Sequence, residues 1–178
     1  MRFDYVPLKE LGKDLVLNKE LFESSFPEEE RPPFETVMRW NRDTFYGVYD
    51  GDTHIGLAYL IEFEDFAYLF FLAVEPAYRN QGIGTKILSD IKEKYPGKRI
   101  FLLADEPGEQ YVDQALRLRR LGFYARNGFV DTELVITEFK VRYHLLSLNG
   151  APVSKCDFLR VMESLIGEAM IKTYYGDI

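Results

Sequence analysis

Cysteine and histidine are both scarce in this chain of 178 residues. The single cysteine, Cys156, has no partner for an internal disulfide, and it excludes a metal site built from several thiolates. The two histidines, His54 and His144, lie far apart without the spacing of metal ligands, so we expect no metal cofactor and two partly exposed strand residues. Long apolar runs are also absent, since none reaches the roughly 18 residues that a membrane span requires.

Cationic side chains are outnumbered: the chain has 22 lysines and arginines against 29 acidic residues, a net charge of −7. Proteins that bind nucleic acid present clustered cations to the phosphates, so we expect no nucleic-acid partner. The first residues lack the basic and then apolar pattern of a signal peptide, and we expect a cytoplasmic protein with no membrane partner. Because 47% of the residues are hydrophobic, we expect one core and a single domain over 1–178.

The most informative stretch is 69–88, where an apolar run breaks at Pro76 and a helical pattern begins just after two closely spaced glycines, Gly82 and Gly84. A strand therefore leads into a glycine loop, and the loop leads into a helix. The first turn of a helix offers free backbone N–H groups and the positive end of the helix dipole, which together bind anions such as phosphate.

The spacing of these glycines separates the nucleotide-binding loops that share this layout. A P-loop needs four residues between its glycines, which are absent here, and a dinucleotide fingerprint needs a third glycine where this chain has Ile87. What remains is Arg79-x-x-Gly82-x-Gly84, preceded by Val74-Glu75-Pro76.

These residues resemble the pyrophosphate loop of the GNAT superfamily of acyl-CoA-dependent N-acyltransferases. A second segment, residues 123–129 with the sequence FYARNGF, is similar to the later helix that packs beside the cofactor thiol in that family. The resemblance covers roughly residues 45–140. It implies an N-acetyltransferase that passes the acetyl group of acetyl-CoA to an amine by direct attack in a ternary complex, without a metal.

Hydrophobic periodicity and turn residues predict an α/β order that agrees with this resemblance. Strands are predicted over 3–8, 44–49, 53–63, 67–74, 99–104, 130–139 and 140–148, and helices over 15–26, 34–41, 84–95, 112–127 and 154–165. The strand–loop–helix–strand run from 67 to 104 predicts parallel fourth and fifth strands. The resemblance implies a mostly antiparallel mixed sheet in which these two strands splay apart, with helices on both faces.

The resemblance also implies the site residues. The loop and its flanking cations would bind the pyrophosphate, the end of the fourth strand would bind pantetheine through its backbone, and the later helix would add cations and a tyrosine. The cofactor-binding residues are then Leu72, Ala73, Val74, Arg79, Asn80, Gln81, Gly82, Ile83, Gly84, Thr85, Lys86, Arg117, Arg120 and Tyr124. Arg117 departs from the family, since many members have asparagine there.

Two of these residues would take part in the chemistry. Attack on the thioester places negative charge on the carbonyl oxygen, which the backbone N–H of Val74 could stabilise as an oxyanion hole does. The Tyr124 hydroxyl would stabilise the leaving thiolate by a hydrogen bond. The general base is open, because Tyr68 occupies the position of the glutamate in histone-modifying members; Glu62, Glu64 and Glu75 are alternatives.

The acceptor is predicted only by class. The acidic segment 26–33, FPEEERPP, suits a cationic acceptor, either a small-molecule amine or a peptide amine. We expect a monomer or a homodimer. Two other classes stay open. One is a non-catalytic acyl-CoA-binding or sensor module, which would not need Tyr124. The other is a nucleotide-binding α/β domain, which is disfavoured because neither a P-loop lysine nor an evident metal-binding aspartate accompanies the glycines of this sequence.

Overall fold

The computed structural model describes residues 2–40, 44–138 and 141–175. These residues form seven strands and six α-helices. They are β1 (Asp4–Pro7), α1 (Leu15–Ser25), α2 (Phe34–Trp40), β2 (Phe45–Asp50), β3 (Thr53–Phe63), β4 (Phe66–Val74), α3 (Ile83–Lys94), β5 (Arg99–Asp105), α4 (Gln114–Arg126), β6 (Phe129–Glu138), β7 (Val141–Leu148), α5 (Lys155–Ile166) and α6 (Glu168–Tyr175).

The chain forms two compact units. The first unit holds the residues up to Glu62 together with Leu69–Pro96, and the second holds Phe63–Tyr68 and the residues from Gly97 onward. Strand β4 contributes to both, and the prediction of a single domain stays a prediction.

The strands of the first unit follow the order β1-β2-β3-β4. β1 and β2 pair antiparallel, as do β2 and β3, with Val48 opposite Gly56 and an irregularity at the next pair. Phe22 of α1 packs edge-on against Phe71 of β4, with 4.9 Å between the ring centroids. These aromatic contacts hold α1 on the sheet beside the end of β4.

The strands of the second unit follow the order β4-β5-β7-β6. Only the first residues of β4 belong to this unit. β4 and β5 are parallel, and β7 pairs antiparallel with both β5 and β6. Tyr68 stacks on Phe101 with 4.7 Å between ring centroids, and Phe158 of α5 packs edge-on against Tyr68. The predicted fold class, a mixed α/β sheet with parallel fourth and fifth strands, is confirmed, whereas the splay of these strands stays a prediction.

Most predicted elements occur within two residues of their observed bounds. Asn41, Phe139 and Lys140, which end or begin three of the predicted elements, lie outside the described residues. The C-terminal helix α6 was not predicted; it follows Gly167, whose φ of +80° ends α5. In the described part of the chain no helix is long and apolar enough to cross a membrane.

Candidate active site

The loop between β4 and α3 lies in the first unit and places a left-handed glycine at the start of a helix. Gly82 is the N-cap of α3 with φ +80°, and the Lys86 N–H donates to its carbonyl at 3.0 Å. Apart from Gly82, its two chain neighbours and the nearby backbone of α3, no heavy atom of the described residues lies within 4 Å of the position that a Cβ would take at Gly82. The first turn of α3 therefore faces open space beside a residue without a side chain, and an anion can approach its N–H groups.

The two cations predicted for this loop already have partners. Arg79 is exposed and donates through Nε to the Val74 carbonyl at 2.8 Å, which closes the loop back onto the end of β4. Lys86 pairs with Asp90, one turn later in α3, and Asp90 also accepts a hydrogen bond from Tyr5. Since Asp90 offsets the ammonium charge, the positive field at the loop comes chiefly from the helix N-terminus and Arg79.

The end of β4 is held tightly against β3. A Cβ added at Gly56 would lie 2.6 Å from the Ala73 carbonyl oxygen, so only glycine permits this approach. Just beyond it, the Glu75 N–H donates to the Ile55 carbonyl at 3.0 Å. The residues Leu72–Val74, predicted to bind pantetheine through the backbone, therefore lie on a strand end whose position is fixed by its neighbour.

Arg117 lies at the start of α4 in the second unit and is 6% exposed. It donates from Nε to Asp113 at 2.8 Å and from a terminal nitrogen to the Glu106 carbonyl at 3.3 Å, and it lies over the Tyr111 ring. The pairing with Arg117 lowers the pKa of Asp113. Through these contacts Arg117 links the start of α4 to the segment after β5.

Tyr124 is half-buried on α4, with Phe123 and Phe129 against its ring. Burial raises the pKa of its hydroxyl to about 12, with Arg120 lowering the pKa and Asp105 raising it. Arg120 itself pairs with Asp105. A phenol with this pKa stays protonated at neutral pH and acts as a hydrogen-bond donor.

The predicted site residues divide between the two units. Residues 72–86 are contiguous in the first unit, and Arg117, Arg120 and Tyr124 follow one another along α4 in the second. Within the acidic segment 26–33, Arg31 donates to the Phe26 carbonyl at 2.9 Å and lies over the Phe22 ring, so part of the negative charge there is offset.

The carboxylates considered as general bases differ in their surroundings. Tyr68, at the family's glutamate position, is enclosed by aromatic rings and 1% exposed. Glu64 pairs with Arg160 at 2.7 Å, and Glu75 contacts His54 at 3.0 Å. His54 is buried, so the expected partial exposure is wrong for it, whereas His144 is partly exposed as expected.

Among the buried carboxyls that sequence reasoning missed is Glu138 at the end of β6. It accepts a hydrogen bond from the Tyr175 hydroxyl, and burial raises the pKa of its carboxyl to about 7. The signal was available, because Glu138 follows the buried Ile136 by two residues and so faces the same side of the strand. In the described ranges no group of three or more histidine, cysteine or acidic side chains could hold a metal ion.

Comparison with known proteins gives a consistent result. Residues 15–129 match the family model described as "Acetyltransferase (GNAT) family". The chain is 30% identical over 157 residues to YjbC of Bacillus subtilis (strain 168), whose name describes an acetyltransferase, and this match covers 84% of the chain and 74% of YjbC.

Solved structures share the fold. A GNAT-family protein of Bacteroides thetaiotaomicron superposes with a TM-score of 0.71 at 24% identity, over the whole of both chains. Aminoglycoside 6'-N-acetyltransferase, crystallised with coenzyme A, superposes with a TM-score of 0.64 at 17% identity over 87% of this chain and all of its own.

Proposed function

Since the chain belongs to the acetyltransferase (GNAT) family and is an acyl-CoA N-acyltransferase, we propose that it transfers the acetyl group of acetyl-CoA to a primary amine by direct attack in a ternary complex. The observation that carries the proposal is the left-handed Gly82 at the open N-terminus of α3, six residues after Pro76 of the Val74-Glu75-Pro76 segment. This geometry suits the pyrophosphate of coenzyme A, a ligand that one structural neighbour contains.

The loop and the strand before it would divide the work of binding acetyl-CoA. The backbone N–H groups of Ile83, Gly84 and Thr85 would face the phosphates, and Arg79 would supply charge at the rim of the loop. The backbone of Leu72, Ala73 and Val74 would bind the pantetheine arm as a neighbouring strand would. This assignment gives a role to the close approach of Gly56, since it fixes the strand end that must present those groups.

The chemistry needs a free amine, an oxyanion donor and a partner for the leaving thiolate. An alkyl amine has a pKa of about 10.4, so it must lose a proton before it attacks. The Val74 N–H would stabilise the oxyanion. Because the pKa of Tyr124 is about 12 and that of a thiol about 8.5, full proton transfer to the thiolate would cost about 5 kcal/mol. Tyr124 therefore acts as a hydrogen-bond donor rather than as an acid.

The acceptor we propose is a small cationic amine. Support comes from the acidic segment 26–33 and from the neighbour whose name describes acetylation of an aminoglycoside. The alternative, a module that binds acyl-CoA without turnover, predicts binding but no thiol release. A screen of amines with detection of free coenzyme A thiol separates the two.

The binding site is tested by calorimetric titration of the full chain with acetyl-CoA. In Gly82→Asn the new side chain would obstruct the approach of phosphate, while asparagine tolerates the left-handed backbone better than other residues do. Gly97→Asn is the matched control, because Gly97 has φ +78° and equally open surroundings but lies after α3.

We expect Gly82→Asn to weaken acetyl-CoA binding at least tenfold, a cost of about 1.4 kcal/mol, while Gly97→Asn binds as the parent does. Binding should also weaken as salt rises, since phosphate contacts are screened. If both variants bind with the parent affinity, the pyrophosphate is bound elsewhere.

A further inference from the structure

Lys86 lies in the first turns of α3 and is held there by a cluster of side chains in the first unit. Its ammonium pairs with Oδ1 of Asp90, one turn later in the helix. The Tyr5 hydroxyl of β1 donates to the other oxygen of that carboxylate at 2.8 Å. The ammonium also lies over the ring of Phe3, 5.9 Å from its centroid. In the binding scheme proposed above, the phosphates meet backbone N–H groups and Arg79, and this cluster has no role.

The position of Lys86 is unfavourable for a cation unless an anion is close. The N-terminal end of a helix carries positive partial charge, and Lys86 is only the fourth residue of α3. A helical side chain also leans toward the N-terminus of its own helix. Lys86 can therefore extend toward the first-turn N–H groups, where a phosphate would bind, and Asp90 leans over Lys86 from the next turn. In the structure, Asp90 is the anion that offsets the ammonium charge.

The carboxylate of Asp90 is held more firmly than in an exposed pair at the same spacing, which is weak. The Asp90 side chain is 16% exposed and the Lys86 side chain 34% exposed. Burial and then the hydrogen bond to Asp90 raise the pKa of Tyr5 well above its ordinary value, so its hydroxyl stays protonated and donates. Because both carboxylate oxygens have partners, Asp90 keeps a fixed orientation toward the ammonium.

We propose that Asp90 limits the affinity of the glycine loop for acetyl-CoA and for coenzyme A, because it holds the Lys86 ammonium and keeps it from the phosphates. This inference rests on the proposed function. A phosphate at the first turn of α3 competes with Asp90 for the same ammonium, and the carboxylate repels that phosphate. Acetyl-CoA and the coenzyme A left after transfer carry the same phosphates. Asp90 therefore also lowers the affinity for the product and favours its release.

Asp90→Asn removes the charge with a small change in shape. The asparagine amide oxygen can still accept from Tyr5, so the contact between β1 and α3 is kept. The Lys86 ammonium then has no counter-charge from Asp90 and lies within a turn of the phosphates. We expect Asp90→Asn to bind acetyl-CoA and coenzyme A about fivefold more tightly than the parent, the gain expected from one partly exposed ion pair.

A double variant tests whether this gain acts through the lysine. When Lys86→Gln is combined with Asp90→Asn, both charges are gone and no ammonium can reach the phosphates. The double variant should therefore bind acetyl-CoA as the parent does, within about twofold.

Glu93→Gln is the matched control. It removes the same charge from α3, but Glu93 is exposed and lies near the C-terminal end of that helix. We expect its affinity for acetyl-CoA to stay within about twofold of the parent affinity, because an exposed charge that far from the loop is screened.

The experiment is calorimetric titration of the full chain with acetyl-CoA and, separately, with coenzyme A. Each titration is made at about 0.05 M and at about 0.5 M salt, because salt screens an electrostatic gain and leaves a packing effect unchanged. We expect the fivefold gain of Asp90→Asn at low salt to shrink to less than about twofold at high salt.

The outcomes separate this inference from the proposed function. If neither the parent nor any variant binds acetyl-CoA, the proposed function fails. If the parent binds it but Asp90→Asn binds no more tightly at low salt, the inference fails alone. The inference is also overturned if the double variant keeps the gain, if Glu93→Gln shows the same gain, or if the gain is equal at both salt concentrations. Should Asp90→Asn unfold, Asp90→Ser removes the same charge and carries the same expectations.

Discussion

Replacing Glu138 by glutamine should make the protein more stable above neutral pH and should flatten its stability between about pH 4.5 and about pH 7. The Glu138 side chain is 9% exposed at the end of β6 and accepts a hydrogen bond from Tyr175 of α6. Burial raises the pKa of this carboxyl from 4.5 to about 7, although the Tyr175 hydrogen bond lowers it. Folding therefore favours the neutral carboxyl.

The sign and size of the effect follow from proton linkage. Between about pH 4.5 and about pH 7 the folded protein holds this proton and the unfolded chain does not, so the free energy of unfolding falls as pH rises. The free energy of unfolding falls by about 1.4 kcal/mol per pH unit, so the protein loses about 3 kcal/mol of stability by the time pH reaches about 7. Glutamine is neutral throughout and can still accept from Tyr175, so Glu138→Gln should regain most of this at about pH 8.

The measurement is urea unfolding of the parent and the variant at several pH values. Glu20→Gln is the control, because Glu20 is exposed on α1 and the variant makes the same side-chain change outside the core. Tyr175→Phe should extend the decline to higher pH, since the lost hydrogen bond no longer lowers the pKa of Glu138. Equal slopes in the parent and Glu138→Gln would refute the buried neutral carboxyl.

Local signals made much of the fold predictable. Strand β3 was predicted with its observed bounds, Thr53–Phe63, because the turn residues 50–52 separate two β-rich runs. The cap of α5 was also evident, since Ser154 and Asp157 form a capping box. The glycine loop also lies where it was predicted, between the fourth strand and the third helix. Its signal is local, because the glycine that takes the left-handed backbone is next to the first residue of the helix.

Contacts between distant residues could not be read in this way. His54 and Asn18 are 36 positions apart, and nothing in the local pattern of either residue indicates that they meet. Arg117 shows the same limit, since its position in the motif predicts a cofactor contact, which stays a prediction, whereas nothing in that motif indicates its contacts with Asp113, Glu106 and Tyr111. Motif spacing predicts where a residue lies, whereas burial and partners decide which of its atoms remain available to a ligand.

Two predictions concern the proposed acetyl transfer. Tyr124→Phe should keep the fold and most of the acetyl-CoA affinity while lowering turnover by roughly 10- to 10⁴-fold, measured as thiol release at saturating acetyl-CoA with an acceptor found in the screen. Unchanged turnover, with chemistry rate-limiting, would leave Tyr124 as a packing residue. Gly56→Ala should weaken acetyl-CoA binding at least tenfold in calorimetry, because the new methyl group would lie 2.6 Å from the Ala73 carbonyl oxygen and the backbone of β4 must move. Gly122→Ala is its control, since the new methyl there meets only the end of the Arg126 side chain. If Gly56→Ala folds and binds acetyl-CoA as tightly as this control does, the end of β4 is not where the pantetheine arm is bound.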